Sequence, residues 1–381
     1  WLDGRIAETQ ILLQQQALQP DISLQITIPN EFQKMCPINI GYTAGIETTK
    51  VAPKWLQSGN EMNKILVVSN HAKDTYVNTI VDAQDPNTGQ VFEYSLQTPV
   101  EVVWETTPLA ETEEIPGFNP TSDFNFLVVS QRGPRKNMEN TIKWFVEEFI
   151  DQEVGLVLKT NTKNNSRIDK GLTEAFLNGI LASYPDRKCS VSLLHGDLSE
   201  GQMRALYEHD KVKALINIAH GEGFGLPLFE AARCALPIIT IPWSGQLDFL
   251  RHDGEDLFQK VAFSMQPVQD HAAWEVVIQK NSMWAYAEET SYRRKLRDMY
   301  ENHSKYIGMS KKLKTHINKN FNADDKYDQF VESILGESIN LQDTKISDLP
   351  KVSILTSVYN GDEFIRPFLE DITRQSIFKE K

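Results

Sequence analysis

The sequence predicts an α/β protein built on doubly wound parallel sheets, and three observations predict it. From about residue 125, strand-like and helix-like stretches alternate without interruption. At 213–235 a short apolar run passes through a glycine-rich turn into a stretch with helical spacing. Residues 1–110 carry further strand candidates separated by helical or turn-rich segments.

In chain order, strands are expected at 24–28, 38–42, 65–69 and 100–104. Residues 105–123, with three prolines, several acids and little apolar content, read as an interdomain linker. Strands then follow at 126–130, 154–158, 191–194, 213–218 and 238–241, with helices at 138–150, 168–182, 201–207 and 226–235. In the first of these helices Ile142, Phe145, Val146 and Phe149 fall at i, i+3, i+4 and i+7, a buried stripe. Residues 255–335 read as mostly helical and amphipathic, 336–350 as a polar linker, and 351–381 as a new strand and helix. The domain reading is therefore a first lobe over 1–110, a second over 111–335, the linker and a tail.

The 381 residues leave room for two or three domains. No run of about 18 apolar residues or charged-then-apolar leader is present, so no transmembrane segment and no secretion are expected. A net charge of −13 argues against a nucleic-acid partner, which needs clustered Lys and Arg. Cys36, Cys189 and Cys234 are odd in number and far apart, which fits neither a disulfide framework nor a zinc site. A reducing cytoplasm is the expected home. No metal pair at usable spacing occurs, and no cofactor is expected.

The turn suits a phosphate-bearing ligand. Gly221, Gly223 and Gly225 let backbone N–H groups come close, and a helix N-terminus follows, with Pro227 near its start. Glu222 lies in the turn and Glu230 in the early helix, where carboxylates would face sugar or ribose hydroxyls; a solvated Glu222 is the plainer alternative. Lys136, beside Arg132 and Arg135 in 130–137, opens the helix after the first strand of the second lobe, a position that suits a diphosphate clamp. Lys159 is a further candidate for that pocket, or a surface lysine.

The run Glu222-Gly-Phe-Gly-Leu-Pro-Leu-Phe-Glu230 resembles the Glu-x7-Glu element of the family-4 retaining glycosyltransferases, which have the GT-B fold of two Rossmann-like lobes. The resemblance implies that Glu222 meets the donor sugar as the catalytic carboxylate, that Gly223, Phe224, Gly225 and Leu226 border sugar and phosphates, and that Glu230 holds the ribose. His220, just before the glycine turn, is expected to line the sugar site and His195 to neighbour the nucleobase through its backbone, while Ser244 and Gly245 resemble the family's small loop by the phosphates. The family usually carries Gly-Arg, then Lys five residues after that Arg. Here Lys136 matches, but Gln131 stands at the Arg position, leaving Arg132 or Arg135 to replace it. Acceptor-side liners are expected at Tyr42 and Glu47.

Residues 41–78 resemble the later half of a GT-B N-terminal lobe, whose opening strand and glycine-rich loop have no counterpart here, so that lobe is expected to be incomplete. Residues 351–376 resemble the opening of a family-2 glycosyltransferase of the GT-A fold, so the chain is expected to be a fragment of a longer enzyme. The apolar face of the tail is expected to dock on the main body or on a second copy in a homodimer. The implied reaction moves a sugar from a nucleotide-diphosphate sugar to a glycan or other polar acceptor. Two rivals stay open: a nucleotide-sugar epimerase on the same fold, and a non-catalytic nucleotide-sugar-binding module.

Overall fold

The computed structural model describes residues 20–336 and the backbone of 352–356. The predicted helix of the tail, with Phe364 and Phe368, lies outside the described residues, as does nearly all of the second linker.

The first lobe runs β1 (Ile22–Ile26), β2 (Ile38–Thr43), α1 (Pro53–Gly59), β3 (Lys64–Val67), α2 (Asn70–Asn78), β4 (Ile80–Gln84), β5 (Val91–Ser95) and β6 (Val100–Val102). Pro53 opens α1, and the Ser69 hydroxyl accepts the Ala72 N–H to cap α2. Sequence reading missed β4 and β5, an antiparallel hairpin off the main sheet. Their partly exposed faces lack the long apolar runs by which the buried strands are recognised.

The second lobe runs β7 (Asn125–Val129), α3 (Met138–Glu148), β8 (Gly155–Lys159), α4 (Arg167–Leu181), β9 (Ser190–Leu194), α5 (Glu200–Glu208), β10 (Val212–Asn217), α6 (Leu226–Arg233), β11 (Ile238–Thr240), α7 (Leu247–Leu250), β12 (Arg251–His252), β13 (Glu255–Asp256) and β14 (Gln259–Lys260). Its sheet has the order β14-β11-β10-β7-β8-β9, all parallel. Alternate residues serve opposite faces. Phe126, Leu156, Leu158 and Ile216 enter one core; Leu127, Val157 and Leu215 enter the other. Helices cover both faces, which is why these strands read as unbroken apolar runs.

After β14 the chain departs from the helical expectation for 255–335. β15 (Phe263–Pro267) and β16 (Met283–Ala287) pair as an antiparallel hairpin before the helices begin. The Ala285 N–H donates to the His220 carbonyl, and Trp284 is fully buried, so tertiary packing overrides the local pattern. Then come α8 (Glu289–Glu301), α9 (His303–Asn320) and α10 (Ala323–Leu335). α10 crosses to the first lobe: Phe330 meets Tyr42 edge-on, Gln329 donates to the Val102 carbonyl, and the Ser333 hydroxyl donates to Glu101. β17 (Val352–Thr356) lies parallel to β1, giving the first sheet the order β17-β1-β2-β3-β6.

Between the lobes, one oxygen of Asp248 accepts from the Trp104 indole at 2.8 Å and from the N–H and amide of Asn70 at 2.8 and 3.0 Å. The next residue, Glu105, is half-buried with no hydrogen bond or ion pair among the described residues, and burial pushes its carboxyl from 4.5 up to about 7. A raised carboxyl costs stability as pH climbs from the ordinary value to the folded one. Glu105→Gln should therefore stabilise the chain by about 2 kcal/mol at pH 8 and hardly at all at pH 4. Denaturant unfolding at both pH values checks this; an equal gain at both would assign the effect to packing.

Candidate functional site

In the second sheet the order reverses between β7 and β10, and the loops leaving their C-terminal ends diverge around a crevice, the place where open α/β sheets bind ligands. The loop after β7 forms a single 3-10 turn, Pro134–Lys136, and Asn137 at φ 50° turns the chain into α3. Asparagine tolerates this left-handed conformation, and its side-chain amide donates to the Ile218 carbonyl, tying the two loops together. The loop after β10 ends at Gly225, whose φ of 97° starts α6.

These turns bring Glu222, Lys136 and Arg135 together. Lys136 Nζ lies 2.7 Å from each Glu222 oxygen, Arg135 Nη1 donates to Oε2 at 2.9 Å, and Asn217 Nδ2 donates to Oε1 at 2.8 Å. The Glu222 N–H donates to Ser244 Oγ, and the Gly245 N–H donates to the Glu222 carbonyl. Glu222 is 5% exposed. Burial pushes its carboxyl up, but Lys136 and then Arg135 outweigh burial and hold it at about 2. Across the cleft Glu47 of the first lobe meets Arg135 Nη2 at 3.0 Å. Burial raises the Glu47 carboxyl, and Arg135 offsets this only in part. The site is thus a compact cluster of two cations and two carboxylates.

The glycines serve close backbone approach. A Cβ on Gly221 would stand 2.6 Å from the Glu47 carbonyl, and one on Gly223 would stand 2.8 Å from the Ala44 carbonyl. The first lobe therefore rests directly on the turn. Phe224 points into the core with Phe229 and Phe249, and Leu226 begins α6 half-buried against the same core.

Of the other expected residues, His220 adjoins the cluster, its backbone N–H donating to the Arg135 carbonyl at 2.8 Å, while the rest are engaged elsewhere. Glu230 accepts from the Tyr207 hydroxyl at 2.8 Å, and burial raises its carboxyl. It lines a cavity of about 130 Å³ with Leu109, Leu198, Arg204 and Arg233. The Arg132 guanidinium stacks on Phe176 at 4.0 Å, so Arg135 is the guanidinium of the cluster. Gln131 donates to the Lys163 carbonyl, and Lys159 Nζ donates to the Gly196 carbonyl at 2.6 Å. His195 Nε2 lies 2.9 Å from Asp169, which also accepts from the N–H groups of Thr162, Lys163 and Asn164. The buried His220 donates from Nδ1 to the Ala285 carbonyl and stacks on Trp284. Tyr42 packs under α10.

Sequence reading missed Asn217, Asp169 and Tyr207. Asn217 left a legible trace: it is the polar residue that ends the apolar run of β10, five residues before Glu222. Asp169 and Tyr207 reach their partners across 26 and 23 residues of chain and left none.

No protein-family model and no curated protein matches the chain. Solved structures do. Sucrose-phosphate synthase from Thermosynechococcus elongatus superposes with a TM-score of 0.53 at 14% identity, over 77% of this chain and 66% of its own. OtsA in its apo form gives 0.53 at 10% identity, over 89% and 77%. A trehalose-6-phosphate structure from E. coli, bound with UDP-2-fluoro glucose, gives 0.52 at 10% identity, over 88% and 78%. The chain spans slightly less than two thirds of the sucrose-phosphate synthase. At these identities the likeness establishes the fold: an α/β protein of the GT-B type, with Rossmann-like lobes.

Proposed function

We propose that the chain is a glycosyltransferase that takes a sugar from a nucleotide-diphosphate sugar and passes it, with retention, to a saccharide or other polar acceptor. The observation that carries this reading is the Arg135–Lys136–Glu222 cluster at the crevice between β7 and β10, in a fold shared with proteins such as sucrose-phosphate synthase. Lys136 and Arg135 neutralise the leaving diphosphate, where negative charge grows as the glycosidic bond breaks. Glu222, ionised at neutral pH, accepts from hydroxyls of the donor sugar and keeps its orientation through Asn217. Glu230 and Tyr207 receive the ribose. The acceptor enters from the first lobe past Glu47. Residues 351–381 are read as the opening of a further transferase domain.

A second reading, a binding module without transfer, is favoured by the engagement of both Glu222 oxygens with Lys136, Arg135 and Asn217. Two measurements separate the readings. Calorimetry with uridine, guanosine and adenosine diphosphates should find micromolar to millimolar binding of one of them. Slow hydrolysis of the matching nucleotide sugar, followed by proton NMR, should release the sugar with its anomeric configuration retained. Binding without hydrolysis selects the module; an inverted product removes the retaining mechanism.

A further inference from the structure

Arg135 holds two carboxylates of different standing. Glu222 belongs to its own lobe and is fixed by Lys136 and Asn217. Glu47 belongs to the other lobe, in the loop that follows β2, and its carboxylate meets Nη2 at 3.0 Å with both side chains largely out of water, 19% and 25% exposed. The backbone of that loop presses on the glycine turn at Gly221 and Gly223, so Glu47 reaches Arg135 from the opposite lobe. A guanidinium presents its donors in a planar fork, and each direction taken by a carboxylate is unavailable to a phosphate. Arg135 therefore already carries an anion where a donor phosphate would bind.

We propose that Glu47 stands in for a donor phosphate on Arg135 and thereby lowers the affinity of the site for any ligand whose phosphate must take its place. This rests on the donor-site reading above. A ligand with one anionic centre exchanges one for one with Glu47 and gains little. A diphosphate offers two centres, one for Arg135 and one for Lys136, and can displace Glu47 at a net gain. Displacement separates the 43–48 loop from the glycine turn, so donor binding and opening of the cleft are one equilibrium. The closed form lowers apparent donor affinity by the fraction of molecules in which Glu47 holds Arg135.

The test is titration calorimetry on the full chain with the nucleoside, its monophosphate and its diphosphate, for each of uridine, guanosine and adenosine. Glu47→Gln keeps the shape and removes the charge. It should tighten diphosphate and monophosphate binding by a similar factor of about ten and leave nucleoside binding within about twofold. Arg135→Ala in the Glu47→Gln background should erase the gain. Glu47→Asp, which keeps the charge but withdraws it, should give a smaller gain, and melting curves confirm that each variant is folded. If diphosphate binding in Glu47→Gln is unchanged or weaker while Arg135→Ala still weakens it, the role of Glu47 is overturned and the donor site stands. If no nucleotide binds the parent chain or any variant, the donor-site reading falls and the role of Glu47 with it.

Discussion

Lys136→Ala is expected to weaken nucleoside-diphosphate binding by about a hundredfold and nucleoside binding by less than about twofold. The ammonium is the only cation that reaches both oxygens of Glu222 among the described residues, each at 2.7 Å, and its side chain is 18% exposed. Removing it takes a point charge from the crevice and leaves Glu222 with Arg135 and Asn217 alone. Losing one partner of a buried pair typically costs about 3–5 kcal/mol; the remaining contacts should hold the loss near the lower figure. The pH profile follows. Glu222 titrates at about 2 in the folded chain against an ordinary 4.5, so the stability it contributes is complete above 4.5 and lost as pH falls toward 2. The variant should show a flatter acid limb. Calorimetry with diphosphate and nucleoside side by side decides the binding role, since equal losses for both would take Lys136 away from phosphate.

Phe229→Ala should cost about 3–5 kcal/mol of folding stability, the largest effect expected outside the charge cluster. The ring is fully buried beneath the glycine turn, with centroids 5.4 Å from Phe224, 5.3 Å from Phe249 and 5.9 Å from Phe321. Each aromatic pair adds to the burial energy, and the stiff neighbouring rings leave little scope to close the cavity. Denaturant unfolding measures the loss. A cost below about 1 kcal/mol would mean that the α6 face collapses into the gap and the neighbouring rings are not stiff.

The second sheet was largely legible because the hydrophobic pattern and the tertiary demand coincide. Strands buried on both faces must be apolar throughout, and residues 126–130, 154–158 and 213–218 lie within one residue of β7, β8 and β10. Hairpins were not legible. β4–β5 and β15–β16 owe their form to partners 7 to 24 residues away and to docking on other elements, which local periodicity does not encode. Within the site, Glu222 and Lys136 could be named because each sits beside a turn or helix start that the sequence marks. Which arginine would join them could not be. Arg132 and Arg135 have similar sequence surroundings, and only the stacking surface of Phe176, from α4, separates their fates.

The crossing of α10 also has a consequence for how the chain is made. The face of the first sheet formed by Leu24, Ile40, Leu66 and Val103 is covered by Phe330, Ile334 and Leu335. Gln329 and Val102, which bond across this seam, are 227 residues apart in sequence. At about 5–20 residues per second, a ribosome takes roughly ten seconds to most of a minute to supply the cover after the first lobe has emerged. During that interval the nascent lobe presents an apolar face to its surroundings, so a chain ended before residue 323 is expected to bind hydrophobic dye more strongly than the full chain.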